Sequence, residues 1–360
     1  AQAQQNAPPP VPVEVQRQSE TFSYSRVEGQ RTLFTIRASQ VSELREGGKS
    51  LLQDVWITIY GRSGQRFDNI HASQCDYLPA DGRITCAGDV RIDLESAGEA
   101  RANPGQRAIR IRTGNVWFLR ETGVAGTDQP VEFQFEHGHG RAVGVRYSTE
   151  SAVVRLEREV QMTLASQGPP GAEPVTLTAS AMEYRRTASA MQLLGPVRAF
   201  QGLRELTASS MTLQFDSAMR AQRLTALGAR GDARPQLQWT EPAGAEQQLV
   251  ADEFAANFLP DGRVARITAQ GAVQGQALRG ARVDRLAAQQ ATLELEGQNE
   301  PRRLEVRGAV RVESRVGIQV HILESDSLQL DFAALRGRRA LARGQTLAPA
   351  SLELRDGAEV

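Results

Sequence analysis

Four histidines, two cysteines and scattered aspartates are the residues of this 360-residue chain best suited to chemistry. His137-Gly138-His139-Gly140 sets two imidazoles either side of a glycine, but no carboxylate pair or cysteine lies near enough to complete a ligand set. The stretch reads as a hairpin turn. His71 and His321 sit inside alternating patterns and read as structural. Asp68, Asp76 and Asp81 fall near turns, where aspartate bonds local backbone. No nucleophile elbow, phosphate loop or dinucleotide fingerprint is present. These residues point to neither an enzyme nor a bound metal or cofactor. Cys75 and Cys86 are a different case. If Pro79-Ala80-Asp81-Gly82 makes a turn, Leu78 pairs with Arg83, Tyr77 with Ile84, Asp76 with Thr85 and Cys75 with Cys86. Either a disulfide or two small buried side chains meets that register.

The elements that carry these residues are strands. Phe34, Ile36 and Ala38 form one face of a period-two alternation, and Val55, Ile57 and Ile59 another. Ile84-Cys86, Val90-Ile92-Leu94, Ile109-Ile111, Val116-Phe118 and Val131-Phe133-Phe135 continue it. Turn signals separate them at Gly61-Arg62-Ser63-Gly64, Asp81-Gly82 and Asn103-Pro104-Gly105. Helical patterning is confined to a turn or two at Ser42–Arg45 and Arg282–Gln290. The expected class is all-β.

A loose repeat runs through the strands: an alanine opens a strand and a Gly-x-Val or Gly-Ala element closes the unit. Ala72 leads to Gly88-Asp89-Val90 and Ala179 to Gly195-Pro196-Val197. Ala208 leads to Gly228, Ala251 to Gly271-Ala272-Val273, and Ala288 to Gly308-Ala309-Val310. Such a unit cannot bury its apolar face alone, so neighbours must stack. Gln167-Gly168-Pro169-Pro170-Gly171 marks the clearest internal boundary. The expected organisation is a proline-rich linker over 1–18, one β unit over 19–164, a linker over 165–174 and a second β unit over 175–360.

Composition excludes several functions. Basic and acidic residues balance at 42 each, which leaves no electrostatic footprint for nucleic acid. Lys49 is the single lysine, so the positive charge is almost all arginine. No run approaches the ~18–20 apolar residues of a membrane-spanning helix. Ala1-Gln2-Ala3-Gln4-Gln5 running into Pro8-Pro9-Pro10-Val11-Pro12 reads as a spacer left after removal of a signal peptide or an N-terminal anchor. Ser351–Arg355 reads as the start of a further strand, which suggests that the natural chain continues. Arg336-Gly337-Arg338-Arg339 reads as a solvated turn.

The opening Phe22-Ser23-Tyr24-Ser25-Arg26-Val27-Glu28-Gly29, with Thr32-Leu33-Phe34, resembles the LptC family of periplasmic components of lipopolysaccharide export. So do Leu52–Tyr60, Ile70-His71-Ala72, Cys75-Asp76-Tyr77, Gly82-Arg83-Ile84, Val131-Glu132-Phe133 and Gly144-Val145-Arg146-Tyr147. From Val175 onward the Ala…Tyr…Gly-x-Val units resemble the related LptA or OstA-type repeat. The chain is longer than a single LptC-like unit and carries this second unit in addition.

The resemblance implies a gapped antiparallel β-jellyroll, V-shaped or taco-like in section, in two stacked units. Acyl chains of lipopolysaccharide or a similar glycolipid would lie in its groove. Partners would be other jellyroll components of the export bridge and the inner-membrane ABC transporter that powers it. The location would be periplasmic, with an N-terminal inner-membrane anchor. Aliphatics on one face of alternating strands must be hidden, and a gapped sandwich can hide them against lipid tails at about 0.8 kcal/mol per methylene. The candidate lining residues are Phe34, Ile36, Val55, Ile57, Ile59, Ile70, Tyr77, Ile84, Val90, Ile92, Ile109, Ile111, Phe118 and Phe133. For any one of them taken singly, ordinary packed core is the favoured alternative. An oxidising periplasm would favour the Cys75–Cys86 disulfide. The strands around Thr32–Ala38 and Leu328–Phe332 are the expected open edges for pairing with like-folded partners. A dry structural or adhesive β-repeat and an outer-membrane assembly chaperone are the rival readings.

Overall fold

The computed structural model describes residues 15–44, 48–61, 67–96, 109–135, 138–165, 173–216, 220–229, 233–240, 244–297, 299–335 and 338–356. His137, Arg336, Gly337 and most of both expected linkers lie outside them, as do Arg62-Ser63-Gly64 and Asn103-Pro104-Gly105. The fold is all-β, antiparallel and jellyroll-like. The chain divides into two compact units, Ala1–Leu156 and Glu157–Val360.

The strands reached in the first unit are β1 (Val15–Ser19), β2 (Phe22–Glu28), β3 (Arg31–Ala38), β4 (Gln40–Leu44), β5 (Ser50–Tyr60), β6 (Phe67–Leu78), β7 (Arg83–Ser96), β8 (Ile109–Leu119), β9 (Val124–Phe135), β10 (Gly138–Ser148) and the start of β11 (Val153–Leu164). β2, β3 and then β5 through β10 form an antiparallel meander. β5 changes partner along its length. Ser50–Gln53 pairs with β4 and Trp56–Ile59 with β3, and Asp54 between them adopts φ 49°.

The second unit continues with β12 (Val175–Ala179), β13 (Ala181–Arg185), a 3-10 turn at Arg186–Ala188, β14 (Ala190–Gln201), β15 (Arg204–Phe215), β16 (Ala221–Leu227), β17 (Gln236–Thr240), β18 (Glu246–Val250) and β19 (Glu253–Phe258). It ends with β20 (Val264–Arg279), β21 (Arg282–Glu296), β22 (Glu300–Val316), β23 (Gln319–Leu335), β24 (Arg338–Thr346) and β25 (Ala350–Asp356). Long strands here are flanked by pairs of short ones: β15 bonds β16 with one half and β17 with the other, and β23 does the same with β24 and β25.

The Gly-x-Val repeat marks the points where the strands bend. Gly88, Gly144, Gly195, Gly271 and Gly308 all have φ between 74° and 80°, and each coincides with a break in strand register. A left-handed glycine lets an extra residue bulge out without a steric penalty. The valines that follow, Val90, Val145, Val197, Val273 and Val310, are all buried. The alanines of the repeat are their cross-strand neighbours: Ala72 opposes Val90, Ala208 opposes Val197 and Ala288 opposes Val273. Gly228, expected to close the Ala208 unit, has no positive φ, and Ala208 pairs backward along the chain instead.

Three expectations are corrected. Ser42 lies in β4 and Arg282–Gln290 in β21, where cross-strand pairing overrides a weak helical pattern. The strand around Thr32–Ala38 is not an edge, because β3 is paired to both β2 and β5. Leu328–Asp331 is likewise bonded to β22 and β24. The outer positions fall to β1 and β2, bonded among the described residues to β4 alone and to β3 alone, and to β24 and β25.

Gly308→Ala should cost more than Gly88→Ala. Both force a side chain to positive φ, at about 1–2 kcal/mol. A Cβ at 308 would also lie 2.8 Å from the Gln289 Cβ, whereas nothing lies within 4 Å at 88. Urea denaturation should show a loss at least ~1 kcal/mol larger for the first variant; equal losses would leave φ as the whole cost.

Candidate functional site

The bulges keep successive strands in register, so the apolar residues of the first unit line up in rows across the sheet. Ile36, Ile57, Ile70, Ile92, Ile111 and Phe133 stand opposite one another on β3 and β5 through β9. A second row joins Tyr77, Ile84, Phe118, Ala125 and Tyr147. Val55, Ala72 and Val90 form a third, and Phe34 opposes Ile59 in a fourth. Of the fourteen candidate lining residues all but Ile109 are buried, and Ile109 is half-buried. Fully burying each of these side chains contributes about 1.5–3 kcal/mol.

Contacts across the interior bring these rows together. The Phe34 and Phe118 rings meet edge to face at 5.0 Å. Arg120 donates to the Tyr77 hydroxyl at 2.5 Å and lies 4.7 Å over the Tyr24 ring. Toward the other end of the strands, the Tyr147 hydroxyl donates to the Asp68 carboxylate at 2.5 Å, and Asp68 is 1% exposed. Strand parity with Ile70 turns Asp68 inward, so its reading as a turn residue is corrected. Between the rows lies an apolar cavity of about 20 Å³, bordered by Ile70, Ile92, Ile111, Val145, Tyr147 and Val154 among others. That is room for about one water-sized sphere.

Cys75 and Cys86 occupy the row between Leu52 and Val116. Their register, and that of Asp76–Thr85, Tyr77–Ile84 and Leu78–Arg83, follows the Pro79–Gly82 turn. The sulfurs are bonded, with Cα atoms 4.0 Å apart.

Sequence reasoning missed a longer row in the second unit. Met162, Leu177, Ala199, Leu206, Leu237 and Leu249 oppose one another in turn, and Gly275, Leu286, Val312, Leu323 and Leu352 extend the row to β25. From Ala199 to Leu323 its members are half-buried, and Leu352 is 72% exposed. The signal was a leucine in each short strand, obscured by the bulges that break simple alternation. A parallel row from Met182 through Leu193, Met211, Ala226, Phe254 and Ala269 is fully buried.

Charges stay outside these rows. The Arg303 guanidinium beside Asp331 holds that carboxyl below its ordinary value, and Arg355 does the same to Glu353. Exposed pairs of this kind contribute little to stability. Among the described residues no group of three or more histidine, cysteine, aspartate or glutamate side chains could hold a metal ion, and no helix is long and apolar enough to cross a membrane. No buried side-chain nitrogen or oxygen among them lacks a hydrogen-bond partner.

These features define an all-β, jellyroll-type protein whose distinguishing surface is apolar and inward-facing. Residues 1–165 match the family model LptC, described as "Lipopolysaccharide-assembly, LptC-related". The first unit is therefore LptC-like, and that family comprises transport-bridge components of the periplasm, not enzymes. No curated protein matches the chain.

The disulfide yields a direct test. Protein from an oxidising compartment should have an intact mass two hydrogens below that of the reduced chain. Replacing both cysteines with serine should lower stability by about 2–3 kcal/mol. Two free thiols in such protein would refute the bond.

Proposed function

We propose that the chain is a component of a lipopolysaccharide transport bridge whose inward apolar rows hold acyl chains without covalent chemistry. The observation that carries this reading is the row running from Met162 to Leu352, which crosses strand after strand of the second unit without a charged residue and stays half-buried over most of its length. A strip of that form offers an extended aliphatic tail an apolar side chain on each strand it crosses except β20, where Gly275 stands, and each methylene transferred is worth about 0.8 kcal/mol. The family match over residues 1–165 supports the same cargo. In the first unit, taken by itself, the fourteen lining residues are the candidate acyl contacts. A tail enters there when the contacts Phe34–Phe118 and Tyr147–Asp68, which bring the rows together, part.

Pairing with like-folded bridge partners, including those joined to the inner-membrane ABC transporter, falls to the outer strands. β25 bonds β23 on one side and carries Leu352 and Leu354, both largely exposed. β2 offers the corresponding edge in the first unit. Addition of a strand satisfies such an edge and covers the leucines beside it.

A dry structural repeat is the second reading, favoured by the burial of thirteen of the fourteen candidate residues in the first unit. Native mass spectrometry separates the two. The transport reading predicts lipopolysaccharide adducts on the purified chain. Leu286→Gln and Leu323→Gln, at half-buried positions, should each lose on the order of 1 kcal/mol of tail contact, about fivefold in occupancy. Arg285→Gln on the opposite face should leave the adducts unchanged. A wild-type chain that retains no lipopolysaccharide favours the structural repeat.

A further inference from the structure

The opposite face of the first unit's sheet carries a second aligned row, one residue out of step with the isoleucines. Arg37, Trp56, His71, Arg91 and Arg112 oppose one another on β3 and β5 through β8, and Glu132 and Arg141 continue the line on β9 and β10. Their sequence neighbours Ile36, Ile57, Ile70, Ile92 and Ile111 are buried, so strand alternation turns this row outward. Arg91 and Arg112 are exposed and directly opposite each other. Like charges in that position destabilise a sheet. Among the described residues no carboxylate pairs with either.

Carboxylates share this face: Asp89 is exposed two residues before Arg91 on the same strand, and the others are paired or stand opposite an arginine. Asp54 is shared by the Trp56 indole N–H at 3.2 Å and His71 Nε2 at 3.0 Å. Asp76 is bridged by Lys49 and Asp128 by Arg146. Asp93 opposes Arg110, and Glu132 opposes Arg112. Two of the chain's three tryptophans lie here, both half-buried. Trp56 stacks on His71 at 4.1 Å, and Trp117 lies between Arg83 and Arg146, at 5.8 and 5.3 Å from their guanidinium carbons.

We propose that this outward face docks on an anionic phospholipid surface. The row crosses seven strands, roughly 29 Å at the strand spacing. Four arginines, Arg37, Arg91, Arg112 and Arg141, spread in a line over that distance with Glu132 among them, match an array of phosphates better than one small anion. Half-buried indoles flanked by arginine suit the boundary between headgroups and acyl chains. The Arg91–Arg112 pair, which no carboxylate bridges although Glu132 stands opposite Arg112, is then relieved by lipid phosphates. This proposal does not depend on acyl chains entering either unit.

Flotation of the full chain with two vesicle types tests it: mixed phosphatidylglycerol/phosphatidylcholine and pure phosphatidylcholine. The wild type should partition onto the mixed vesicles and leave them as salt rises from about 50 to about 200 mM. The Arg91→Gln/Arg112→Gln double variant should partition about tenfold more weakly, and Arg91→Lys/Arg112→Lys should retain most of the binding. The Gln double variant should melt at or above the wild-type temperature, since it removes a like-charge pair. Equal binding by the wild type and the Gln double variant would overturn the proposal, as would equal binding to the two vesicle types. Pure phosphatidylcholine presents the same tails, so that last result would point to acyl capture alone.

Discussion

Strand register is the constraint on which this molecule depends. A slip of one residue would carry every isoleucine of the first unit to the outside and every arginine of the outer row to the inside. The left-handed glycines pin that register. At Gly88, Gly144, Gly195, Gly271 and Gly308 an extra residue is absorbed at the bend, and a buried valine comes after each one. The apolar rows are therefore a consequence of where the bulges fall, as much as of how many aliphatic residues the chain contains.

Much of the fold was legible because alternation and turn chemistry act locally. The Pro79–Gly82 turn alone determined the pairing of four residue couples, including the two cysteines. The Gly-x-Val echoes were visible as a repeat, though their role as bulges was not, since φ leaves no direct mark on the sequence. Edges were misassigned for a related reason. Whether a strand is flanked on one side or two depends on partners far along the chain, as for β3 between β2 and β5. Asp68 was read as a turn residue because sequence cannot show Tyr147 reaching it from β10. The half-buried leucine row of the second unit was missed because its members sit one to a strand, too sparse for a periodicity argument.

The two units offer their apolar faces differently. In the first, aromatic and polar contacts bring the rows together around a small cavity, and thirteen of the fourteen candidate residues are buried. In the second, the row through Leu249, Leu286 and Leu323 keeps part of its surface accessible. Burial of apolar area drives both arrangements. The difference lies in whether polypeptide or something else completes the burial. The family match over residues 1–165 and the uncharged row of the second unit are what the proposed transport role rests on.

Site-specific photo-crosslinking tests the central claim most directly. A photoreactive side chain placed at Leu286 or Leu323 should label lipopolysaccharide, while the same group at Arg285 or Glu324, on the opposite face of the same strands, should not. Labelling confined to the outward positions, or absent from all four, would contradict an inward apolar path for the cargo.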